Sequence, residues 1–302
     1  MSVESENGAS RRDEAREKAK AIREQRRKQQ RKARIIIASV IVAVIVGVAA
    51  GGYFFVLQGQ RPTGPGPLNM RSDGIVIGGD FVAERTPATQ VGQKPLATAI
   101  DDESDVIRIQ MYVDYFCPVC NTFEQTNGEQ IVKWLDTGVA TVEIHPIPLL
   151  DRVSQGTKYS SRATNAAACV ANYAPDQYYA FHTELFAQQP EESTVGLTDE
   201  QLIQVAKDAK VTAVSSVTTC ITDQRVRTWV AESKERALTG PIADSDIAAI
   251  SGTPTILVNG QQYTGAADDA QAFRQFVLQA AGTSFNESST PTPTPTPEVP
   301  AG

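Results

Sequence analysis

Residues 116–120 of this chain are Phe-Cys-Pro-Val-Cys. Cys117 and Cys120 follow the strand-forming run 106–115 and precede a helical pattern that continues to about residue 136. A Cys-x-x-Cys pair between a strand and a helix indicates a redox dithiol. Half of a zinc site is one alternative, although zinc sites usually need a second ligand pair. An inert structural disulfide is the other alternative.

The spacing of the two cysteines suggests how they divide the chemistry. If Cys117 is the N-cap of the helix and Pro118 its first residue, the first free amides point towards the Cys117 sulfur. These amides and the helix dipole favour an anion, so we expect a Cys117 thiolate with a lowered pKa. Cys120 lies one turn further on and is predicted to be the resolving thiol, which attacks a mixed disulfide held on Cys117.

The amino-terminal residues predict a membrane anchor. Residues 1–34 are basic, and residues 35–57 form an uncharged run rich in Ile, Val and Ala. A helix of that length covers about 34 Å, enough to cross a bilayer core. A cleaved signal peptide is the alternative, but its apolar region would be shorter and its basic segment much shorter. We therefore predict one transmembrane helix at 35–57.

Charge divides the chain at this anchor. Residues 1–57 carry a net charge of +6 and residues 58–302 a net charge of −13. The positive-inside bias places 1–34 in the cytoplasm and the rest outside the cell membrane, as a single-pass protein. An acidic outer domain argues against nucleic acid as a partner. Four cysteines in an exported domain fit an oxidising compartment.

Composition predicts the remaining domain boundaries. Residues 58–71 are rich in Pro and Gly and are predicted to be a flexible linker, and 283–302 a disordered tail rich in Pro and Thr. The folded domain is predicted to cover 72–282, with a helical insertion at about 150–240. We expect about four helices in that insertion, at about 159–172, 176–187, 198–209 and 214–237.

Patterns on either side of the insertion predict the sheet. Residues 140–148 form a second strand ending at two prolines, and the short return after one helix implies that it lies parallel to 106–115. Asn127-Gly128 is expected to kink or break that helix. Residues 74–78 are a candidate edge strand, and Asn259-Gly260 predicts a hairpin. A last helix is expected at 266–281.

The other two cysteines, Cys169 and Cys220, fall in the first and last helical segments of the insertion. We predict a structural disulfide between them. Two buried free thiols are the alternative.

Taken together, these motifs resemble the DsbA-like branch of the thioredoxin superfamily, and more narrowly the membrane-anchored disulfide oxidoreductases of actinobacteria. The order is strand, Cys-Pro-Val-Cys, helix, strand, helical insertion, and then Gly252-Thr253-Pro254-Thr255 before a hairpin and helix. The resemblance implies an α/β, thioredoxin-like fold with an inserted α-helical subdomain, preceded by one transmembrane helix. It also implies that Pro254 is a cis-proline facing the dithiol and that Thr253 binds a substrate strand. An ordinary trans proline is the alternative.

The sequence departs from the family at positions that tune the redox pair. Val119 stands where strong oxidants have His, and it cannot donate a hydrogen bond to the thiolate. Met111 stands where many relatives have a buried acid. Asp114 is the nearest acid before Cys117, and it either raises the pKa of the thiols by like-charge repulsion or is a solvated residue at the strand end. Pro118, Val119 and Asp114 are therefore the candidate redox-tuning residues.

The function predicted from these observations is that of a membrane-anchored, extracytoplasmic protein thiol–disulfide oxidoreductase. It is expected to introduce disulfides into exported proteins that contain cysteines, and the family implies a membrane redox partner. A disulfide isomerase or reductase is the first alternative. A non-catalytic, chaperone-like binding module is the second. No metal or small-molecule cofactor is indicated.

Overall fold

The computed structural model describes residues 65–98 and 106–288. The predicted basic segment at 1–34, the predicted anchor at 35–57 and residues 289–302 of the predicted tail lie outside these described residues. Within the described ranges, no helix is both long enough and apolar enough to cross a membrane.

Five strands form one mixed sheet in the order β1-β3-β2-β4-β5. The strands are β1 (Ile75–Ile77), β2 (Ile107–Val113), β3 (Ala140–Pro146), β4 (Thr255–Val258) and β5 (Gln261–Tyr263). Strand β2 is central, and its last five residues are all buried. Because alternate residues of a strand face opposite sides, Ile109, Met111 and Val113 enter the main hydrophobic core, whereas Arg108, Gln110 and Tyr112 face the other side.

Strand pairing follows the predicted pattern. Strands β2 and β3 are parallel, with Met111 opposite Ile144, and helix α1 (Pro118–Asp136) connects them. Strand β1 pairs antiparallel with β3 at one edge. Strands β4 and β5 form the predicted hairpin, in which Asn259 and Gly260 both adopt positive φ angles of 47° and 80°. Asn and Gly tolerate this conformation better than other residues.

The predicted break at Asn127-Gly128 is wrong, because α1 continues through both residues to Asp136. The buried Asn127 amide donates to the carbonyl of Phe123 one turn earlier, at 3.0 Å, and to the carbonyl of Ala267, at 3.2 Å. These bonds give the polar side chain partners inside the fold. They also attach α1 to the segment before the last helix, which offsets the low helix propensity of the pair.

The insertion contains five α-helices rather than four. They are α2 (Tyr159–Tyr173), α3 (Tyr178–Ala187), α4 (Asp199–Asp208), α5 (Val214–Thr222) and α6 (Arg227–Thr239). The predicted segment 214–237 divides because Gln224 has a positive φ of 48° and the amide of Arg225 turns back to the carbonyl of Cys220 at 3.1 Å. Cys220 therefore lies in the fourth helix of the insertion and not in the last.

A disulfide joins Cys169 of α2 to Cys220 of α5, with an S–S distance of 2.01 Å. Both residues are at most 1% exposed. The bridge therefore ties two helices together inside the insertion.

Removing this bridge should destabilise the fold without touching the other cysteine pair. The double substitution Cys169→Ala/Cys220→Ala should lower the free energy of unfolding by about 4 kcal/mol, since the bridge closes a loop of about 52 residues. Chemical denaturation of the wild type and the double variant, both without reductant, measures the difference. The same midpoint for both proteins would contradict a structural role.

Both ends of the predicted domain differ from expectation. Residues 65–71, predicted to be linker, include the buried Asn69 and Met70, and the Asn69 amide donates to the carbonyl of Ala171 at 2.8 Å. This part of the predicted linker packs against α2. The last helix, α7 (Ala270–Ser288), begins four residues later than predicted and runs six residues into the predicted tail.

Candidate active site

The first turn of α1 has the predicted capping geometry at the dithiol. Cys117 is the N-cap, with φ −82° and ψ 115°, and Pro118 opens the helix. The Cys117 carbonyl accepts the Asn121 amide at 3.2 Å, and its own amide donates to the Asp114 carbonyl at 3.0 Å. Proline costs nothing here, because the first amides of a helix have no partner within the helix.

Cys117 has the electrostatics of a nucleophile. Its pKa is lowered to about 6, first by a hydrogen bond from the Cys120 thiol and further by the main-chain amides of Cys120 and Val119 and the Thr253 side chain. Burial opposes this effect and is outweighed. Because the thiolate is the nucleophile in thiol–disulfide exchange, Cys117 carries the reactive charge near neutral pH.

The pKa of Cys120 is shifted in the direction opposite to that of Cys117. It is fully buried, and burial together with its hydrogen bond to Cys117 raises its pKa well above the ordinary value. Both thiols are free in this structure. The pair therefore holds one proton on the inner sulfur and one negative charge on the outer sulfur, which is the division of roles that the spacing predicts.

The Thr253–Pro254 peptide bond is cis, as the family resemblance implies. It brings the Thr253 carbonyl to 3.3 Å from the Cys117 sulfur. A main-chain segment that starts beside the nucleophile can pair with an extended chain. The substrate-binding role of Thr253 and Pro254 stays a prediction.

Val119 lies in the first turn of α1, and Met111 lies in strand β2. The Val119 side chain is 52% exposed, while its amide helps to stabilise the Cys117 thiolate. Met111 is buried in β2 and supplies no acid. The tuning roles of Pro118 and Val119 remain predictions.

Asp114 is not a solvated strand-end residue, so that alternative is wrong. It is fully buried, and its carboxylate accepts the amides of Phe116, Leu149 and Leu150 at 2.7–2.9 Å. Burial raises its pKa, and these hydrogen bonds oppose that effect. The carboxylate thus joins the residues just before the dithiol to the segment after β3. The main chain of Asp114 also hydrogen-bonds to the Cys120 side chain.

Replacing this carboxylate should cost stability. Asp114→Ala leaves three amides without their acceptor at a buried site, so we expect a loss of about 3 kcal/mol in the free energy of unfolding. Asp136→Ala, at the exposed end of α1, is the control and should change it by less than about 0.5 kcal/mol. Denaturant titration measures both, and equal effects would contradict the anchoring role of Asp114.

Gln189, which follows α3, was not predicted to contact the active site. Its side-chain amide donates to the carbonyls of Tyr115, at 3.2 Å, and Cys117, at 3.0 Å. The helical insertion thereby holds the main chain on both sides of Phe116. No local pattern reveals this contact, because it joins residues more than 70 positions apart.

A buried polar cluster behind the dithiol was not predicted either. His182 of α3 lies 2.9 Å from the Glu124 carboxylate and 3.1 Å from the Tyr115 hydroxyl, which lies 3.3 Å from the Tyr178 hydroxyl. Glu124 is one turn after Cys120 on the buried face of α1. That spacing is a usable signal, since residues four apart share a helix face.

These groups can carry out thiol–disulfide exchange. They provide a thiolate, a buried resolving thiol and, beside them, the main chain at Thr253. Among the described residues there is no cluster of His, Cys, Asp or Glu that could hold a metal ion.

A family described as thioredoxin matches residues 102–277, which is more than half of the sequence. The chain belongs to the thioredoxin family. The matched region contains the dithiol, the insertion and the cis-proline segment. No curated protein matches the sequence.

Solved structures extend this assignment. The reduced form of the disulfide bond oxidoreductase DsbG from Mycobacterium tuberculosis is 25% identical, with a TM-score of 0.50 over 72% of this chain and 93% of that one. BdbD from Bacillus subtilis, in its oxidised form, is 18% identical, with a TM-score of 0.52 over 74% of this chain and 100% of that one. The predicted thioredoxin-like fold and the prediction of a DsbA-type thiol–disulfide oxidoreductase are confirmed.

Proposed function

We propose that this thioredoxin-family chain is a membrane-anchored, extracytoplasmic oxidase that introduces disulfides into exported proteins. The observation that carries the proposal is the contrast between a Cys117 pKa of about 6 and the raised pKa of the buried Cys120. A stable thiolate is a good leaving group and favours the reduced pair. Such a pair gives its disulfide away readily.

The reaction begins with the oxidised pair. A substrate thiolate attacks the Cys117 sulfur, the Cys117–Cys120 bond breaks, and Cys120 leaves and takes up a proton. A second substrate thiolate then attacks the substrate sulfur of the mixed disulfide and releases the Cys117 thiolate. The substrate loses two electrons and gains a disulfide, and the dithiol is reduced. A membrane redox partner that accepts two electrons must reoxidise the dithiol.

Sequence features support the compartment and the anchor. The uncharged run at 35–57, the basic residues before it and the acidic residues after it fit a single-pass protein with its catalytic domain outside. The Cys169–Cys220 disulfide fits an oxidising compartment. In that compartment the substrates are exported proteins with reduced cysteines, bound by pairing with the main chain at Thr253.

Oxidative folding tests the direction of the reaction. The oxidised full chain in detergent should introduce disulfides into a reduced, unfolded secreted protein, with about one substrate disulfide formed per Cys117–Cys120 pair consumed. Cys117→Ala/Cys120→Ala is the matched control and should introduce none. Activity only on scrambled disulfides would indicate an isomerase. Suppression of substrate aggregation by the double variant as well as by the wild type, without disulfide formation, would indicate the binding module.

A membrane assay tests the anchor independently. The full chain should stay with membranes after alkaline extraction, and external protease should reach residues 63–302 in intact cells without their outer wall. Release by alkali, or protection of the dithiol domain from protease, would contradict this topology.

A further inference from the structure

Gln189 of the helical insertion contacts the main chain of the nucleophile directly. Its side-chain nitrogen donates to the carbonyl of Tyr115 at 3.2 Å and to the carbonyl of Cys117 at 3.0 Å. A primary amide carries two hydrogens on its nitrogen, so it can serve both acceptors at once. The orientation of the amide is fixed, because carbonyls accept hydrogen bonds and cannot donate to the amide oxygen. The insertion therefore holds Cys117 through its own carbonyl.

The main chain of Gln189 is itself held in place. Its amide donates to the Phe186 carbonyl at 3.2 Å, and the Phe186 ring packs against the Tyr115 ring with 5.2 Å between their centroids. Pro190 follows and restricts the main chain of the residue before it. The two side-chain bonds thus start from an ordered turn, so less conformational entropy is lost when they form.

The Cys117 carbonyl is the atom through which this contact affects the chemistry. It accepts the Asn121 amide at 3.2 Å and the Gln189 amide as a second donor, which uses both of its lone pairs. The ψ angle of Cys117, which is 115°, describes rotation about the bond between its α-carbon and this carbonyl. The sulfur lies on one side of that bond and α1 on the other. Fixing ψ therefore fixes the position of the sulfur relative to the free amides at the start of α1.

The Cys117 sulfur depends on that alignment. The pKa of Cys117 is lowered first by the Cys120 thiol and further by the main-chain amides of Cys120 and Val119. Hydrogen bonds weaken steeply when their angle falls below about 120°, so a rotated sulfur loses part of this stabilisation. The Asp114 carboxylate holds a different atom of the same loop, the Phe116 amide. Gln189 adds the restraint on the carbonyl side.

We propose that Gln189 is a positioning residue for the nucleophile, which fixes the Cys117 carbonyl and so keeps the Cys117 sulfur aligned with the amides that open α1. Gln189 acts through the main chain and takes no part in the exchange itself. The helical insertion thereby contributes to the reactivity of the dithiol. This role rests on thiol–disulfide exchange at Cys117 and holds for either direction of disulfide transfer.

Gln189→Met tests the role, because methionine keeps the length of the side chain and removes both donors. In the reduced full chain in detergent, the pH midpoint for alkylation of Cys117 by iodoacetamide should rise by about one unit, which is a tenfold change in the ionisation constant. The potential of the Cys117–Cys120 pair should become more negative by up to about 30 mV, the equivalent of that tenfold change for a two-electron couple. A less stable thiolate favours the oxidised pair, which gives the sign.

The neighbouring Gln188 supplies a matched control. It is exposed, and its side chain donates to Glu184 at 2.6 Å and to Asp208 at 3.1 Å. Gln188→Met should therefore keep the wild-type midpoint and potential. Gln189→Asn carries the same amide on a side chain one methylene shorter, and it should shift the midpoint in the same direction as Gln189→Met.

A merely structural role for Gln189 gives a different result. It would lower the Tm of the reduced and the oxidised chain equally and leave the Cys117 midpoint unchanged. Wild-type midpoints in both Gln189→Met and Gln189→Asn, or an equal shift in Gln188→Met, would overturn the proposal. These measurements use no substrate protein, so a failure to introduce disulfides would contradict the oxidase and leave the shift in midpoint as evidence for the positioning role.

Discussion

Cys117→Ala is expected to lower the rate of thiol–disulfide exchange by at least about a thousandfold, to the rate of the chain without its nucleophile. Cys117 is the only one of the two free thiols whose pKa is lowered, and it lies beside the Thr253 carbonyl. Cys120, fully buried with a raised pKa, cannot replace it. A coupled assay of glutathione-dependent disulfide reduction measures the loss.

Cys120→Ala gives the complementary result. Without a resolving thiol, a substrate attached to Cys117 cannot be released by attack from within the chain. Mixed disulfides should therefore accumulate with this variant and be absent with Cys117→Ala, as non-reducing gels would show. Accumulation on Cys120 in Cys117→Ala would reverse the two roles.

The second large effect is the pH dependence of Cys117. Its rate of alkylation by iodoacetamide should follow a titration with a midpoint near pH 6, because the thiolate is the reactive form. Thiolate absorbance near 240 nm should show the same midpoint and disappear in Cys117→Ala. A midpoint between about 8 and 9, the ordinary cysteine range, would contradict the stabilisation described for the first turn of α1.

This lowered pKa also links stability to pH. The folded reduced chain keeps the Cys117 thiolate above about pH 6, whereas in the unfolded chain this thiol ionises only near the ordinary cysteine pKa of 9.0. The reduced protein should therefore gain stability relative to the oxidised protein as the pH rises from about 6 to 9, and lose that gain as the pH falls through about 6. Paired thermal unfolding curves measure the difference.

The Cys120 thiol is the largest single cause of the low Cys117 pKa. Cys120→Ala should therefore move the Cys117 midpoint upward, while the main-chain amides of the helix start keep part of the effect. An unchanged midpoint would assign the whole effect to the helix start.

Local patterns predicted those parts of the fold that local forces determine. The alternating run at 107–113 gives a strand in any context that buries one face, and Asn259-Gly260 favours positive φ wherever it occurs. The helix beginning at Pro118 follows from proline geometry. For the same reason the sequence alone predicts the capping position of Cys117.

The errors arise where distant contacts outweigh local propensity. Asn127-Gly128 predicts a break, but the hydrogen bond from Asn127 to Ala267, 140 residues later, offsets the low helix propensity of these two residues. The apolar pattern of 214–237 continues across Gln224, whose positive φ divides the helix. Hydrophobic periodicity indicates which helix face is buried. It does not reveal a single turn in which the Arg225 amide bonds to the Cys220 carbonyl.

In the active site, too, local motifs are predictable from the sequence and distant contacts are not. The two cysteines and Thr253-Pro254 belong to short motifs, so the sequence reveals them. Gln189 acts through main-chain carbonyls, which leave no mark on the residue types that they contact. Asp114 could be placed near the strand end, but whether it is solvated or buried depends on the amides of residues 149 and 150.

An equilibrium redox titration of the Cys117–Cys120 pair in glutathione buffers tests the central claim most directly, with the full chain in detergent and the state of the pair read by mass after alkylation. We expect reversible reduction of this pair alone, at a potential between about −120 and −180 mV, as for dithiols that give disulfides away. A potential near about −270 mV, the range of a reductant, would contradict the proposed oxidase.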